Sequence, residues 1–271
     1  LGQLLAGPFA GCMLGYFGAE VIKIEPPGGD PIRNWRKVKN GTSLWWHSLA
    51  RNKKCISLNL KAEEGRGLVK KLLASADVVV ENFRPGVLES WGLDPGSMRR
   101  DNPDLIYARI SGFGQTGPYS SKAGFASACE AISGFRYING FPGEPPVRPN
   151  LSLGDTISGL HAVLGILMAL RSKDRGNGGQ VVDVALYESM FNLLEAVVPE
   201  YDGAGEIREP SGTTITGIVP TNTYECKDGK YLVIGGNGDS IFMRLMGAIG
   251  RSDLADNPKY ASNADRVANQ E

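Results

Sequence analysis

The chain of 271 residues is 42% apolar, ample for a large buried core, and by size it could form one big domain or two ordinary ones. Lysine plus arginine and aspartate plus glutamate both total 29, so no bulk charge draws the protein to nucleic acid or an anionic membrane, and any anionic ligand must be met by local positive groups. Cys12, Cys55, Cys129 and Cys226 lack CxxC spacing and histidine is confined to His47 and His161, which argues against a metal centre or disulfide framework and suits a reducing compartment, cytoplasmic or mitochondrial matrix.

The first residues carry no signal or transit pattern, and the chain opens on a loop and helix with no full strand before them, as expected of a chain trimmed at its start. Phe9, Met13, Leu14 and Phe17 predict a short helix with Pro8 in its first turn. Residues 21–25 alternate like a strand, and the Gly/Pro-rich stretch 26–31 breaks it. A second strand is expected over 55–60, then a helix over 62–74 with Leu68, Leu72 and Leu73 as its buried stripe. The apolar run 77–80 suits a strand covered on both faces, 85–91 a helical turn, and 105–110 a further strand. This alternation predicts an α/β fold, with parallel βαβ units and right-handed crossovers in a Rossmann-like doubly wound sheet. No GxGxxG follows the first strand, so shape alone gives no reason to infer a nicotinamide cofactor.

Residues 125–135 read as a short helix followed by a Gly/Pro-rich loop to Pro149. Beyond Asp155, the residues Ile157, Leu160, Leu164, Leu167 and Leu170 recur at helical spacing. The longest apolar run, 160–170, falls short of the ~20 residues of a membrane span, so a soluble protein is expected. A strand at 180–185 and a helix at 186–194 follow. Residues 221–226 and 231–234 flank Lys227-Asp228-Gly229-Lys230 as a hairpin. The expected division is a Rossmann-like large domain over 1–198 and part of a smaller α+β domain over 199–271, whose polar end, 257–271, is expected to lead into something further.

Three places could carry chemistry. Asp155 at a helix start would be ionised by the helix N-terminus, as a carboxylate nucleophile requires, and Gly154 and Gly159 would let a ligand approach; the same residue could instead be a plain N-cap. Gly235, Gly236, Asn237 and Gly238 follow a strand and permit positive φ, so their N–H groups could line an anion site or cover a reacting centre, or simply make a flexible turn. Asn82, Phe83 and Arg84 lie at a strand's C-terminal end, where Phe83 could stack on adenine and Arg84 meet a phosphate, or Phe83 be core and Arg84 solvated. Arg33, Arg36 and Lys37, near Trp35, form another basic cluster able to face phosphates or water.

Together with Leu5-Ala6-Gly7-Pro8-Phe9-Ala10, Gly18-Ala19-Glu20-Val21-Ile22-Lys23-Ile24-Glu25, Arg51-Asn52-Lys53-Lys54, Glu81-Asn82-Phe83-Arg84-Pro85-Gly86, Gly112-Phe113-Gly114-Gln115-Thr116-Gly117-Pro118 and Gly154-Asp155, the chain resembles the class III coenzyme A transferases. That family includes formyl-CoA transferase, carnitine CoA-transferase and the related α-methylacyl-CoA racemases. Residues 212–239 look most like succinyl-CoA:glutarate-type transferases. The resemblance implies that Asp155 attacks an acyl-CoA to give an aspartyl anhydride and then an aspartyl-CoA thioester. It further implies that Ala6, Arg33, Asn82, Phe83 and Arg84 hold CoA as substrate, that no cofactor is tightly bound, and that the loop of Gly235, Gly236, Asn237 and Gly238 shields the intermediate from water. An interlocked homodimer of longer chains, acyl-CoA and a small carboxylic acid as partners, and neither nucleic acid nor membrane follow from the same likeness. A racemase would carry a histidine where this chain has Phe125, a residue otherwise expected in the core. A truncated, non-catalytic CoA-binding protein is the reading from outside enzymology.

Overall fold

Strand-forming and helix-forming runs alternate through most of the chain, and the computed structural model, which describes residues 1–270, gathers them into two compact units. Leu1–Phe135 with Pro149–Glu195 make the first; Arg136–Arg148 with the chain from Ala196 onward make the second.

The first unit begins with α1 (Ala6–Tyr16) and β1 (Val21–Glu25). A 3-10 turn at Pro31–Asn34 is capped by Asp30, whose side chain accepts from Ile32 N–H. The two-residue strands β2 (Val38–Lys39) and β3 (Thr42–Ser43) precede α2 (Leu44–Leu49), which starts because the Ser43 hydroxyl accepts from the N–H groups of Trp45 and Trp46. Then come β4 (Lys53–Ser57), α3 (Glu63–Leu73), β5 (Val78–Glu81), α4 (Val87–Ser90), α5 (Pro95–Asp101), β6 (Ile106–Ser111), α6 (Ala126–Ile132) and α7 (Phe135–Ile138), whose residues from Arg136 belong to the second unit. Past the excursion into the second unit lie α8 (Leu153–Ser172), β7 (Val181–Ala185) and α9 (Leu186–Phe191).

The fold class is α/β, with parallel pairing as expected. β1 runs parallel to β4, Val21 opposite Lys53 and Glu25 opposite Ser57. β5, β6 and β7 form a second parallel sheet, Val78 opposite Ile106 and Tyr107 opposite Val181. Among the described residues the two sheets share no ladder, so the sheet is interrupted between β1 and β5. β6 is buried along its whole length. One face of its sheet packs Ile106 and Ala108 on Ile166 and Ala169 of α8; the other packs Tyr107 with Val69, Leu73, Leu88, Leu93 and Leu105. Arg109 at 6% exposure is tolerated in that core because its Nε donates to Glu81 Oε1 at 2.7 Å and its Nη1 to Glu89 Oε1 at 2.7 Å.

Two readings of periodicity need correction. β4 lies two residues earlier than the expected 55–60. On α3 the buried stripe is Gly65, Val69 and Leu73, while Leu68 is 48% exposed, because the 3.6-residue period that joins 65 to 69 and 73 turns 68 outward. A third correction concerns length. Leu153–Asn177 is long and apolar enough, by length and composition alone, to cross a membrane, since its small residues extend the apolar stretch beyond 160–170. In the structure α8 buries Ala162, Ile166 and Ala169 against the unit's core.

The second unit contains α10 (Val197–Ala204), β8 (Thr221–Glu225), β9 (Tyr231–Gly235), α11 (Asp239–Ala248), α12 (Ser252–Ala255) and α13 (Asn263–Ala268). The hairpin is as expected, with Glu225 opposite Tyr231 and Gly229 at φ 75° in the turn. Its anchor is Arg266, which is 1% exposed and donates from Nε to Val219 O at 3.0 Å and from Nη2 to Asp239 Oδ1 at 2.7 Å.

Candidate active site

Asp155 is half-buried in the first turn of α8 and is not its N-cap. Ser152 occupies the cap position without a side-chain cap bond, which places Asp155 where the dipole of a twenty-residue helix favours negative charge. The glycines beside it serve packing. A Cβ on Gly154 would stand 3.1 Å from Ala126 Cβ, and one on Gly159 would stand 2.8 Å from Phe9 Cδ1 and 3.1 Å from Ala6 O. Gly154 thus seats α8 on α6, and Gly159 seats it on α1, in place of the expected ligand clearance.

Two neighbours were not singled out in the sequence. Glu130, fully buried on α6, accepts the Gly154 N–H through Oε1 at 3.1 Å and so fixes the Leu153–Gly154 peptide immediately ahead of Asp155. A lone glutamate inside the apolar stretch Ala126–Ile132 was the available signal. Cys129 donates to Gly112 O at 3.3 Å, and its thiol is pushed up to about 11 by burial and by the negative charge of Asp155. Gly112 in turn presses against Gly124, where a Cβ would meet the partner Cα at 2.6 Å. His161 is held apart from this chemistry: its Nδ1 lies 3.0 Å from Ile157 O and its Nε2 3.2 Å from Asn192 Nδ2.

The proposed CoA-holding residues fall at the C-terminal ends of β1 and β5, where open parallel sheets place their ligands. Asn82 Oδ1 accepts from Gln3 N–H at 2.8 Å while its Nδ2 donates to Gln3 O at 3.0 Å. The same amide crowds Gly2 and Gly7, leaving no room for a Cβ at Gly2, only 2.5 Å from Asn82 Oδ1. Ala6 begins α1 beside it, 1% exposed, with its carbonyl turned to Gly159 one turn along from Asp155. Ala6 and Asn82 are therefore brought together, and Ala6 is tied to the helix of the carboxylate.

Phe83 is half-buried and packs edge-on to Trp91 at 5.6 Å, so it joins the core rather than offering a free stacking face. Arg84 is exposed and makes no ion pair among the described residues. Arg33 donates from Nε and Nη2 to both oxygens of Glu25 at 2.7 and 2.8 Å, and its guanidinium lies 3.7 Å over the Trp46 ring. Burial alone would raise the Glu25 carboxyl, but the Arg33 fork and the Asp30 N–H together hold it below its usual range. Arg36 instead stacks on Trp45 at 4.2 Å, so the basic cluster is organised by α2, an element the sequence reading did not anticipate. Asp30 completes the frame, accepting from Leu4 N–H at 3.2 Å and from Lys23 Nζ at 2.7 Å.

Gly235, Gly236, Asn237 and Gly238 lie in the second unit and correct another expectation. None of the three glycines takes positive φ. A Cβ on Gly236 would meet Leu245 Cδ2 at 2.7 Å and Pro220 Cγ at 3.3 Å, Asn237 O accepts from Arg266 Nη2 at 2.6 Å, and Gly238 occupies the N-cap of α11. Phe125 is 69% exposed at the N-cap of α6 and does not join the core.

A family model described as CoA-transferase family III matches residues 1–271. Among similar proteins, the succinyl-CoA–D-citramalate CoA-transferase of Chloroflexus aurantiacus is 50% identical over 272 residues, covering all of this chain and 68% of that protein. The human succinyl-CoA:glutarate CoA-transferase is 38% identical over all of this chain and 62% of its own length. A crystal structure of a CAIB/BAIF family protein from Brucella suis superposes with a TM-score of 0.85 at 36% identity, covering all of this chain and 72% of that one. The chain thus spans roughly two thirds of the proteins it matches.

Proposed function

Since the chain belongs to CoA-transferase family III, we propose that it moves coenzyme A from an acyl-CoA thioester to a small carboxylic acid, with Asp155 as nucleophile. The supporting observation is the half-buried carboxylate in the first turn of α8, with the N–H of the preceding Gly154 held by Glu130 and its charge felt by Cys129. An Asp155 oxygen attacks the donor acyl carbon; the C–S bond breaks and CoA thiolate leaves, giving a mixed anhydride. The thiolate then attacks the aspartyl carbonyl and expels the donor acid, leaving an aspartyl-CoA thioester. The acceptor carboxylate attacks that thioester and releases the thiolate again, which finally takes the acceptor acyl group and frees Asp155. A series of four easier acyl transfers replaces one difficult exchange.

Ala6, Arg33, Asn82, Phe83 and Arg84 are the proposed CoA-holding set. Arg84 is the exposed cation suited to a phosphate, and Arg33 offers a guanidinium held by Glu25 over the Trp46 ring. On the family resemblance, the loop of Gly235, Gly236, Asn237 and Gly238 covers the anhydride, which water would otherwise hydrolyse, and a homodimer is the working assembly. The names of relatives make dicarboxylic acids such as succinate and citramalate the first substrates to try.

The test is trapping. Incubation with succinyl-CoA and hydroxylamine should mark the peptide containing Asp155, and Asp155→Asn should lose both the mark and transfer while keeping its far-ultraviolet spectrum. Undiminished transfer by Asp155→Asn would refute the assignment.

A further inference from the structure

Burying a carboxylate is costly unless hydrogen bonds meet its oxygens, yet α6 carries Glu130 at 0% exposure in a helix otherwise made of small and apolar residues. Its Oε1 accepts from the Gly154 N–H at 3.1 Å, across 24 residues of chain. A less costly acceptor stands closer. Ser152 occupies the N-cap position of α8, where serine is among the best residues, but its side chain makes no cap bond. The first turn of α8 is thus capped from α6 and not by its own chain neighbour.

A serine cap would satisfy the N–H and leave the start of α8 free to shift against α6. Glu130 instead ties the two helices together at the turn that carries Asp155. The contact there is close: a Cβ on Gly154 would stand 3.1 Å from Ala126 Cβ and 3.4 Å from Glu130 Cγ. The Gly154 carbonyl, which belongs to the peptide joining it to Asp155, accepts from the buried Ser158 hydroxyl at 2.7 Å. Both peptide groups flanking Gly154 are therefore fixed, the first by α6 and the second by the next turn of α8. α6 is anchored in turn. The Cys129 thiol donates to Gly112 O at 3.3 Å, just past the C-terminal end of β6, and the Ser133 hydroxyl donates to Glu130 O at 2.9 Å.

We propose that Glu130 is a positioning residue for Asp155: through the Gly154 N–H it fixes the first turn of α8 on α6 and holds the carboxylate in the one placement from which it attacks a thioester. The inference rests on Asp155 as the nucleophile. Glu130 itself touches no substrate in this role. What the role requires is an acceptor at the place of Oε1, so glutamine should serve, whereas methionine, of similar length, should not. Misplacing a reacting group by about 1 Å lowers the rate roughly a hundredfold while substrate contacts elsewhere survive, so the loss falls on kcat and not on KM.

The test compares the unaltered chain with Glu130→Gln, Glu130→Met and Asp155→Asn. Transfer from succinyl-CoA to citramalate or glutarate gives kcat and KM, circular dichroism reads the fold, and hydrogen exchange reads the Gly154 amide. Glu130→Gln should keep kcat and KM within about threefold and leave Gly154 exchange unchanged. Glu130→Met should speed Gly154 exchange at least about tenfold and lower kcat about a hundredfold, with KM within about threefold. Equal Gly154 exchange in the unaltered chain and Glu130→Met would overturn the proposal, and so would an undiminished kcat in Glu130→Met. A kcat loss of about tenfold or more in Glu130→Gln would overturn it too, and that arm stands even where Glu130→Met does not fold. Asp155→Asn separates the two readings: full activity there removes the nucleophile itself, whereas an inactive Asp155→Asn beside a fully active Glu130→Met removes only the role of Glu130.

Discussion

Replacing Gly159 by alanine should destabilise the first unit by roughly 1–2 kcal/mol, although alanine is the better helix former. In an open helix interior the exchange gains about 0.5–1 kcal/mol, because alanine has less backbone freedom to lose. At position 159 the added Cβ would lie 2.8 Å from Phe9 Cδ1 and 3.1 Å from Ala6 O. The ring can tilt, but the carbonyl belongs to the first residue of α1 and moves only if the helix moves. Forcing a methyl group into such a contact costs about 1–3 kcal/mol, which outweighs the propensity gain. Gly247→Ala is the matched control, since nothing lies within 4 Å of its Cβ position, and it should stabilise by about 0.5–1 kcal/mol. Urea unfolding followed by tryptophan fluorescence reads the first unit, where Trp35, Trp45, Trp46 and Trp91 all reside; circular dichroism reads both. Stabilisation of Gly159→Ala equal to that of Gly247→Ala would refute the tight α1–α8 contact. Because the displaced carbonyl is that of Ala6, the same variant should also raise KM for acyl-CoA.

Arg109→Met should cost about 3–5 kcal/mol in urea unfolding, because it strands Glu81 at 1% exposure without its cation; a loss below about 1 kcal/mol would show that the pair is not buried as described. Glu25→Gln removes one arm of the Arg33 fork, and transfer kinetics should show KM for acyl-CoA rising several-fold with kcat little changed, whereas an equal fall in kcat would argue that Arg33 acts elsewhere. Burial pushes the Lys53 ammonium down to about 8, so between pH 8 and the ordinary lysine value of about 10.4 the unfolded chain holds more protons than the native one. The stability contribution of Lys53 should therefore be flat below pH 8 and rise through that window, and Lys53→Met should lack the rise; identical slopes for both proteins would sink this reading.

The parts of this fold that depend on neighbours in sequence were legible in advance. β1 stands where alternation placed it, and the Lys227-Asp228-Gly229-Lys230 hairpin formed as read. α5 could have been found, since Asp94 before Pro95 accepts from Ser97 N–H at 2.8 Å, a capping pattern written plainly in the chain. α2 hid because Leu44–Leu49 is short and aromatic, so its helical period is not visible over six residues. What could not be read is everything set by distant partners: the interruption between β1 and β5, the burial of Val69 in place of Leu68, and the use of Gly154 and Gly159 as contact points between helices. The same holds for the candidate site. Asp155 was conspicuous in the sequence, while the grip of Glu130 on the N–H of Gly154, 24 residues away, required the fold.

The paired bonds between Asn82 and Gln3 have a consequence for affinity. A carboxamide carries the same donor and acceptor as a peptide unit, so this side chain acts as a surrogate main chain, extending the edge of β5 sideways to dock the segment that opens α1. If Ala6 holds CoA as proposed, that segment is in place before the thioester arrives, and binding energy need not be spent on ordering it. An aspartate at position 82 would keep the shape but meet Gln3 O with a second acceptor, releasing the segment and converting a preformed cradle into one that each ligand must assemble.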